Sequence, residues 1–414
     1  MNDIAASSFF EPKVIADPFD YYRAWMPKSP VVQLSEGMFL VLSYEHCAQA
    51  TGDVDTFSNN FQGTLSGAMA EDSDVSAILV EGWPQVDTLL TADPPTHTRF
   101  RKLVNLAFSM KRVAAIEQDM RGVVVNLIEK MAAKGECDFV RDFGIPLPVA
   151  MIASQIGMEG DLSRVKRWSD AFVDRLGRMI PKERELECAR EVVEFQHHMK
   201  AKIDERRANR AEDLLSDLVH AEIDGERPLE DAEILSIMQQ LMVAGNETTT
   251  SALAGGLLQL IENPDQMAKA VEAVDGGNDR AILNLVEEVL RTESPTAGMW
   301  RMVLKDAELG GVKIPQGAMV QLRYAAANRD PAKYPDPDRF DIERANARSH
   351  LAFGKGIHMC VGNILSRKEM AVAYSELLKR LTDFRVADGH VPSWPPNMLL
   401  RGLTTLPISF RRRA

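Results

Sequence analysis

One helical pattern constrains the fold more than any other feature, because it extends from about residue 229 to residue 262. Asp231 lies in its first turn, where a negative charge suits the helix dipole, and Asn263-Pro264 ends it. Its apolar residues recur at helical spacing and are Ile234, Ile237, Met238, Leu241, Met242, Leu257, Leu258 and Ile261. A helix of about 34 residues is about 50 Å long, so the chain must fold around it. Polar residues and glycine interrupt the apolar pattern at mid-length.

Shorter patterns predict a mainly α-helical chain with small β-sheets. Helical periodicity dominates from about residue 98 to residue 263, with a break at Pro146-Leu147-Pro148. Residues 279–292 and 361–381 predict two further helices, and strand-like pieces lie between them. The chain shows neither an internal repeat nor a long linker, so we expect a single domain over residues 1–414.

The first hundred residues predict a hairpin followed by a long loop. Residues 31–34 and 38–42 flank Glu36-Gly37, a pattern typical of two strands joined by a tight turn. Residues 61–92 are rich in Gly, Ser, Asp and Met and show no regular period. Loops of this length are usually functional, so we expect a lid that moves when a ligand enters.

Charge and hydropathy exclude several functions. Lys and Arg number 48 and Asp and Glu number 60, which gives a formal net charge of −12. Such an acidic protein is not expected to bind nucleic acid, because phosphate groups need a basic face. No stretch offers the roughly 20 apolar residues that cross a bilayer, and Met1-Asn2-Asp3-Ile4 lacks the layout of a signal peptide. We therefore expect a cytoplasmic protein without a membrane anchor.

Cys360 differs from the other cysteines, which stand singly at positions 47, 137 and 188 and indicate no disulfide framework. Three glycines surround Cys360 within residues 354–362, and a predicted helix follows. Backbone N–H groups at a helix N-terminus stabilise a thiolate, which can bind a metal, and glycines let a flat cofactor approach the backbone. This segment alone leaves two alternatives open, a buried turn or a zinc site that includes His350 and His358.

The segment Phe353-x-x-Gly356-x-His358-x-Cys360-x-Gly362 resembles the haem-binding signature of the cytochrome P450 family, with His358 where many members have Arg. Four further segments agree with this family. They are Ala244-Gly245-Asn246-Glu247-Thr248-Thr249, similar to the oxygen-activation motif; Glu288-Val289-Leu290-Arg291, similar to the ExxR motif; residues 328–344, similar to the meander; and residues 93–101, similar to a bacterial segment with propionate partners. The resemblance covers about residues 15–410 and implies the cytochrome P450-like fold.

The resemblance implies a haem b cofactor, iron protoporphyrin IX, buried between the long helix and the Cys360 loop. Cys360 would be the metal ligand, with Phe353 against its loop to shield the sulfur. The other cofactor-binding residues would be His97, Arg101, Arg301 and His358 for the propionates, Gly362 in the ligand loop, and Ala244 and Gly245 above the iron. At Ala244-Gly245 we expect a local break in the helical hydrogen bonds, which makes room for oxygen and water.

Glu247 and Thr248 are the catalytic pair that the resemblance implies. Oxygen activation consumes protons, and a hydroxyl beside a carboxylate can deliver them. For Thr249 and Thr250 we expect hydroxyls that bond back to carbonyls of their own helix.

A second group of residues matches structural positions of the family. Glu288, Arg291 and Arg344 correspond to its structural triad, which would join the meander to a helix. Ser366 stands where many members have alanine, and we expect it to touch neither iron nor oxygen.

The substrate pocket is expected to be apolar. Its predicted residues are Leu89, Leu90, Val243, Ala244, Ala297, Met299, Met398 and Leu399. Residues 61–98 contain no Lys or Arg but several acids, so a carboxylate substrate is disfavoured. We expect a neutral hydrophobic small molecule, such as a terpenoid, a steroid-like compound or an aromatic.

The chain contains no flavin or iron–sulfur segment, so the resemblance implies an external electron donor. We expect a ferredoxin or a flavodoxin-like protein with an NAD(P)H reductase, and O2 as co-substrate. A basic patch for this donor would consist of Arg101, Lys102, Lys111, Arg112, Arg348 and Lys355. Two alternatives remain, a non-catalytic haem-thiolate sensor or binding protein and a peroxide-driven hydroxylase or desaturase.

Overall fold

The computed structural model describes residues 4–60, 72–158, 160–177, 180–222 and 225–413. Contacts between residues group the chain into two compact units. Unit 1 consists of Met1–Ser58, Ala115–Leu147 and Glu247–Ala414, and unit 2 consists of Asn59–Ala114 and Pro148–Asn246. The expected single domain over residues 1–414 stays a prediction.

Unit 1 combines helices from both ends of the chain. They are Pro12–Ala16, Phe19–Trp25, Tyr44–Gly52, Glu117–Ala132, Pro264–Asp275, Asp279–Glu293, Tyr324–Ala327 and Asn363–Arg380. Short 3₁₀ turns lie at Ala6–Phe10, Ala347–Ser349 and Gly356–His358, and a π-helical turn lies at Val140–Gly144. The helix Asp231–Glu262, which we call the long helix, begins in unit 2 and ends in unit 1.

The strands described in the structure all belong to unit 1. They are β1 (Val31–Ser35), β2 (Met38–Val41), β3 (Phe57–Ser58), β4 (Glu136–Asp138), β5 (Met299–Val303), β6 (Ala307–Leu309), β7 (Val312–Ile314), β8 (Met319–Leu322), β9 (Leu381–Val386) and β10 (Pro407–Arg412). The largest sheet has the order β1-β2-β8-β5-β3, in which only β2 and β8 run parallel. A three-stranded sheet has the order β4-β10-β9, and β6 pairs with β7.

Alternation along β2 and β8 places one apolar row inside. Phe39 and Val41 of β2 lie in one core with Val320 and Leu322 of β8 and with Cys47 of the helix that follows. Leu40 of β2 lies in a second core cluster, and all four residues of β8 are buried, so these two strands are covered on both faces. The hairpin β1–β2 confirms the prediction for residues 31–42.

The regular elements among the described residues of unit 2 are helices. Its helices are Ser73–Leu79, Thr96–Ala107, Met110–Ala115, most of Pro146–Gln155, Leu162–Gly177, Lys182–Ala208 and Leu214–Val219. Aromatic rings join two of them, because Phe195 meets Trp168 at 5.5 Å and Phe172 at 5.1 Å, both edge to face. Such contacts add about 0.5–1.5 kcal/mol each beyond the apolar area that they bury.

Helices predicted from the sequence agree with the structure near the site. The predicted ranges 279–292 and 361–381 correspond to Asp279–Glu293 and Asn363–Arg380. The predicted loop 61–92 is only partly a loop, since Ser73–Leu79 forms a helix capped by Asp72, and residues 61–71 lie outside the described residues. None of the helices in the described ranges is long and apolar enough to cross a membrane.

The long helix differs from the prediction at its midpoint. Asp231–Glu262 is one uninterrupted helix, so the expected break at Ala244-Gly245 is wrong. The expectation for Thr249 and Thr250 is also wrong. The Thr250 hydroxyl donates to the Gly144 carbonyl at 2.9 Å, and the Thr249 hydroxyl faces that of Ser366 at 3.4 Å. Both hydroxyls find partners outside their helix because tertiary packing brings other polar groups within reach.

Candidate haem site

Cys360 lies in the loop that precedes the helix Asn363–Arg380. Its backbone N–H donates to the Phe353 carbonyl at 2.9 Å, and the cysteine is partly exposed. Gly362 is the N-cap of the helix, so Cys360 stands two residues before the cap. Unpaired N–H groups and the helix dipole favour a negative charge at this end. The structure thus confirms the helix start that the sequence predicted beside Cys360.

Glycine is required at position 356. Gly356 has φ +75°, and a Cβ on it would lie 2.7 Å from the Thr51 carbonyl oxygen. Any other residue would combine a strained backbone with a clash against the end of helix Tyr44–Gly52. The close contact fixes the path of the loop that carries Cys360.

Arg301 has the donor chemistry that a buried anion requires. It lies on β5, is 3% exposed, and donates to the Trp300 carbonyl at 2.7 Å. Burial raises the pKa of Tyr324, and Arg301 opposes that rise through its charge and a hydrogen bond. Within the described ranges no carboxylate pairs with Arg301. Because a buried guanidinium without an anionic partner is costly, this residue fits a haem propionate.

The other three predicted propionate partners fall in both units. In unit 2, His97 and Arg101 lie four residues apart on the helix Thr96–Ala107. His97 is 2% exposed, and burial together with the charge of Arg101 lowers its pKa, so the ring is a neutral hydrogen-bond partner at pH 7. Arg101 also donates to the Asn105 side chain at 2.9 Å. In unit 1, the half-buried His358 ends the turn Gly356–His358.

The middle of the long helix exposes a small apolar and polar face. Ala244 is exposed and Val243 is half-buried, although Met242 and Asn246 beside them are buried. Glu247 and Thr248 are also half-buried. Exposure of small residues halfway along the longest helix fits a face that a flat apolar cofactor covers.

Glu288, Arg291 and Arg344 form the predicted cluster. Arg291 donates two bonds to Glu288, at 2.8 and 2.9 Å, and Arg344 donates a third at 3.0 Å. Glu288 and Arg291 are completely buried. The remaining N–H groups of the two arginines donate to backbone carbonyls of residues 328–339, so the cluster joins the helix Asp279–Glu293 to the meander.

Side chains of the long helix hold the predicted substrate segment in unit 2. Ser236 accepts a bond from the backbone N–H of Val86 at 2.9 Å, and Gln240 accepts one from Leu90 at 3.1 Å. Leu89 and Leu90 are half-buried. The sequence signal for this contact is two polar residues spaced i, i+4 on an apolar helix, but their partner was not predictable.

The unit 1 residues predicted for the substrate pocket differ in burial. Met299, Met398 and Leu399 are partly buried, and the Leu399 carbonyl accepts from the Ala297 N–H at 2.7 Å. Ala297 itself is 1% exposed and lies in a core cluster with Phe9. Its methyl group therefore contacts the core, and we leave it out of the proposed pocket.

A zinc site at Cys360 is not supported. The described residues contain no group of three or more His, Cys, Asp or Glu side chains that could hold a metal ion. His350, the third residue of the zinc alternative, directs Nε2 at Glu287 Oε2, 2.9 Å away. Binding through a single thiolate needs no such group, since a haem supplies the other ligands of its iron.

Glu287 was missed by sequence reasoning. It is 6% exposed and bonds to Arg367 and His350, whereas its neighbour Glu288 belongs to the buried triad. Adjacent residues on a helix point about 100° apart, so Glu287-Glu288 had to have two different sets of partners. The second acid was therefore a signal, but its partners were not readable from the sequence.

Comparison with known proteins identifies the family of this chain. The family model for cytochrome P450 matches residues 161–409. Steroid C26-monooxygenase from Mycobacterium tuberculosis is 32% identical over 411 residues, which cover 99% of this chain and 96% of that protein. The 6-deoxyerythronolide B hydroxylase from Saccharopolyspora erythraea is 33% identical over 415 residues, which cover 96% of this chain and 98% of that protein. The structure of cytochrome P450 CYP109Q5 from Chondromyces apiculatus matches with a TM-score of 0.84 and 33% identity, covering 99% of each chain.

These matches define the class of protein. The chain belongs to the cytochrome P450 family and has its fold, mainly helical with small sheets. It is a monooxygenase of the haem-iron class, which uses O2 and a redox partner.

Proposed function

We propose that the protein uses haem b, held by the Cys360 thiolate, to insert one oxygen atom from O2 into a neutral hydrophobic molecule. The observation that carries this proposal is Cys360 itself, partly exposed in a glycine-fixed loop two residues before a helix N-cap. When bound, the haem supplies the activation of O2, which a thiolate ligand promotes by donating electron density to the iron. Two electrons and two protons are consumed, one oxygen atom enters the substrate, and the other leaves as water.

Four residues match the propionate-binding positions of the family. They are Arg301, His358, His97 and Arg101. The neutral His97 ring would donate a hydrogen bond, and the two arginines would supply charge as well. The exposed Ala244 would lie against the ring, because a methyl group permits close approach.

Thr248 and Glu247 would deliver protons. The Thr248 hydroxyl can donate a hydrogen bond toward O2 and accept a replacement proton afterwards. The half-buried Glu247 carboxylate can exchange protons with solvent. A sensor has no use for such a pair, which is why we favour a monooxygenase over a non-catalytic haem-thiolate protein.

Charge in unit 2 supports a neutral substrate. Lys182 forms ion pairs with the acidic segment after residue 71, with Asp72 at 2.9 Å and with Asp74 at 2.7 Å. Lys182 is thereby neutralised, so it does not offer a free site for a carboxylate. Two relatives are named steroid C26-monooxygenase and 6-deoxyerythronolide B hydroxylase, which makes bulky neutral molecules the first class to test.

An acidic ferredoxin with an NAD(P)H reductase is the electron donor that we propose. In unit 1 the side chain of Arg348 is 82% exposed, and Lys355, Ile357 and Met359 of the Cys360 loop are exposed as well. Cations around apolar side chains suit a transient, salt-sensitive complex. Arg112 of the predicted basic patch pairs with Glu212 and Asp217 in unit 2, so we leave it out of the docking surface.

The absorption spectrum of the reduced carbon monoxide complex tests the ligand. The wild type should give the strongly red-shifted Soret band of a thiolate ligand, and Cys360→His should lose it. A histidine-type band in the wild type would refute Cys360 as the ligand. Neutral steroids and macrolactones should then be titrated for the spin shift of a displaced water, with the matching carboxylic acids as controls.

Turnover with ferredoxin, reductase and NAD(P)H, compared with peroxide alone, tests the reaction. Thr248→Ala should divert electrons to hydrogen peroxide while haem content stays normal, and unchanged coupling of NAD(P)H to product would contradict its role. Lys355→Glu should weaken ferredoxin-dependent reduction and its salt dependence. Lys313→Glu, at an exposed position of β7, is the matched control.

A further inference from the structure

Residues 397–402, which we call the 397–402 segment, contact the long helix within unit 1. A Cβ on Gly402 would lie 2.9 Å from Ser251 Cβ, so the two backbones approach closely there. The Ser251 hydroxyl donates to the Glu247 carbonyl at 2.7 Å, one helical turn earlier. The segment that contains Met398 and Leu399 therefore contacts the long helix one turn from the residues to which we assign proton delivery.

Asn397 fixes the start of the 397–402 segment. Its side-chain Oδ1 accepts the backbone N–H of Leu399 at 2.8 Å and that of Leu400 at 2.9 Å. This is a turn that an asparagine or aspartate side chain closes on the backbone that follows it. Asn397 is 7% exposed, so water cannot easily take the place of its oxygen. A hydrocarbon side chain at this position would leave both N–H groups without their acceptor.

Two buried side chains hold the next carbonyl in place. The Met398 carbonyl accepts from Gln321 Nε2 at 2.9 Å and from Arg323 Nη1 at 2.7 Å. Gln321 lies on β8 and Arg323 follows it, and they are 0% and 1% exposed. Arg323 Nε donates to the Tyr22 hydroxyl at 2.8 Å, so the guanidinium is itself held on a second side. The position of the Met398 carbonyl is thereby set by the core of unit 1.

Arg401 anchors the other end of the segment. Its backbone N–H donates to the Pro295 carbonyl at 2.8 Å, and its Nη1 lies 3.5 Å from Glu293 Oε2. Both side chains of this ion pair are buried, and the guanidinium carbon lies 4.4 Å from the centre of the Trp394 ring. Glu293 also accepts from Gln259 of the long helix at 2.8 Å. Arg401 therefore connects the segment to the long helix through Glu293.

The backbone between these anchors uses its polar groups inside the protein. The N–H of Leu399 is bonded to Asn397, and the carbonyls of Met398 and Leu399 accept the bonds already described. Met398 packs partly against the core that contains Ala297, and Leu399 is half-buried. The segment can therefore contact a bound molecule with apolar side chains only, so it recognises shape.

We propose that Asn397, Arg323 and Arg401 are positioning residues that hold the 397–402 segment as a fixed apolar wall of the substrate pocket. This wall favours bulky rigid molecules, because its side chains are already ordered when the molecule binds. If Met398 and Leu399 had to be ordered during binding, the affinity would fall by about 2- to 12-fold for each side chain. The inference rests on the proposed function, since it takes these two residues as part of the pocket.

Two nitrogen ligands of different bulk test the proposal on the purified holoenzyme. Imidazole and 4-phenylimidazole both bind haem iron and shift the Soret band, but only the second is large enough to need the wall. Asn397→Leu should weaken the binding of 4-phenylimidazole by about fivefold or more and leave that of imidazole unchanged. Asn397→Asp, which keeps the acceptor oxygen, should restore the wild-type ratio of the two dissociation constants. Arg401→Leu should act like Asn397→Leu, and Arg401→Lys, which keeps the charge beside Glu293, should have a smaller effect.

Gln266→Leu is the matched control, because Gln266 is also a buried amide whose oxygen accepts a backbone N–H, that of Ile342 at 3.0 Å. It should lower the unfolding midpoint without changing either dissociation constant. Asn397→Leu removes no charge, so it keeps the test available if Arg401→Leu does not fold.

Two results would contradict the proposal in different ways. Unchanged binding of 4-phenylimidazole in Asn397→Leu, or an equal loss for both ligands, overturns the positioning role alone. A wild type whose Soret band does not shift with imidazole overturns the haem site and this inference with it.

Discussion

Replacement of Glu288 by alanine should be among the most damaging single changes in unit 1. The carboxylate accepts four hydrogen bonds, from Arg291 twice, from Arg344, and from the Asp341 N–H at 3.0 Å. All four are lost in Glu288→Ala, and two buried guanidinium groups then lack their anion. Arg291 is completely buried and Arg344 is 9% exposed, so water cannot solvate them well.

The expected magnitude follows from that burial. Removal of one partner from a buried ion pair costs about 3–5 kcal/mol. This is a large part of the free energy of unfolding of a native protein, which is roughly 5–15 kcal/mol. Glu343→Ala is the control, because it removes an ion pair with Lys269 whose side chains are 68% and 41% exposed. Loss of such a surface pair costs about 0–1 kcal/mol.

Guanidinium denaturation followed by circular dichroism measures the difference, and the haem content of the purified protein is the second readout. Glu288→Ala should unfold at a clearly lower midpoint and retain little haem, whereas Glu343→Ala should match the wild type in both. Glu288→Gln, which keeps the shape and one acceptor oxygen, gives a measurable variant if the alanine variant does not fold. Normal haem content and an unchanged midpoint in Glu288→Ala would refute the argument from the buried charges.

Three further predictions concern unit 1. Gly256→Ala should destabilise the protein by about 1–3 kcal/mol, because the added Cβ would lie 2.7 Å from a Val289 methyl group. Gly122→Ala is the control, because its Cβ would have nothing within 4 Å, and it should stabilise its helix by about 0.5–1 kcal/mol. Equal unfolding midpoints of the two variants would contradict this prediction. Thr250→Val should cost about 1–3 kcal/mol in the same assay, since the Gly144 carbonyl loses its donor. Burial raises the pKa of Glu369 to about 8, so its contribution is full below the ordinary pKa of a glutamate and is lost as the pH rises toward 8. Glu369→Gln should therefore unfold like the wild type near pH 4 and be the more stable protein near pH 9, and a parallel pH profile of the two would count against it.

Local sequence patterns predicted much of the candidate site. The Cys360 loop was predictable because glycine spacing and a helix start are local properties, and Glu288, Arg291 and Arg344 followed from the family resemblance. The contacts that the sequence did not predict all join distant segments. Thr250 bonds to a carbonyl 106 residues away and Thr249 faces Ser366, so their hydroxyls were misassigned to their own helix.

Burial was the other quantity that the sequence left open. Ala297 was expected in the pocket because it is small and lies between the right segments, but it is 1% exposed and packs with the core. The prediction of a break at Ala244-Gly245 was wrong for a related reason. A glycine permits a break without requiring one, and Asp231–Glu262 is a single helix.

The parallel pairing of β2 with β8 has a consequence for biosynthesis. Residues 38–41 find their partners at residues 319–322, about 280 residues later. At a synthesis rate of about 5–20 residues per second, the inner edge of the β1–β2 hairpin waits roughly 15–55 s on the ribosome before its neighbour exists. Open strand edges invite pairing with other chains, so a nascent or truncated chain that ends before β8 should be prone to aggregation. The order of synthesis thus makes the amino-terminal hairpin one of the last parts of the sheet to be protected.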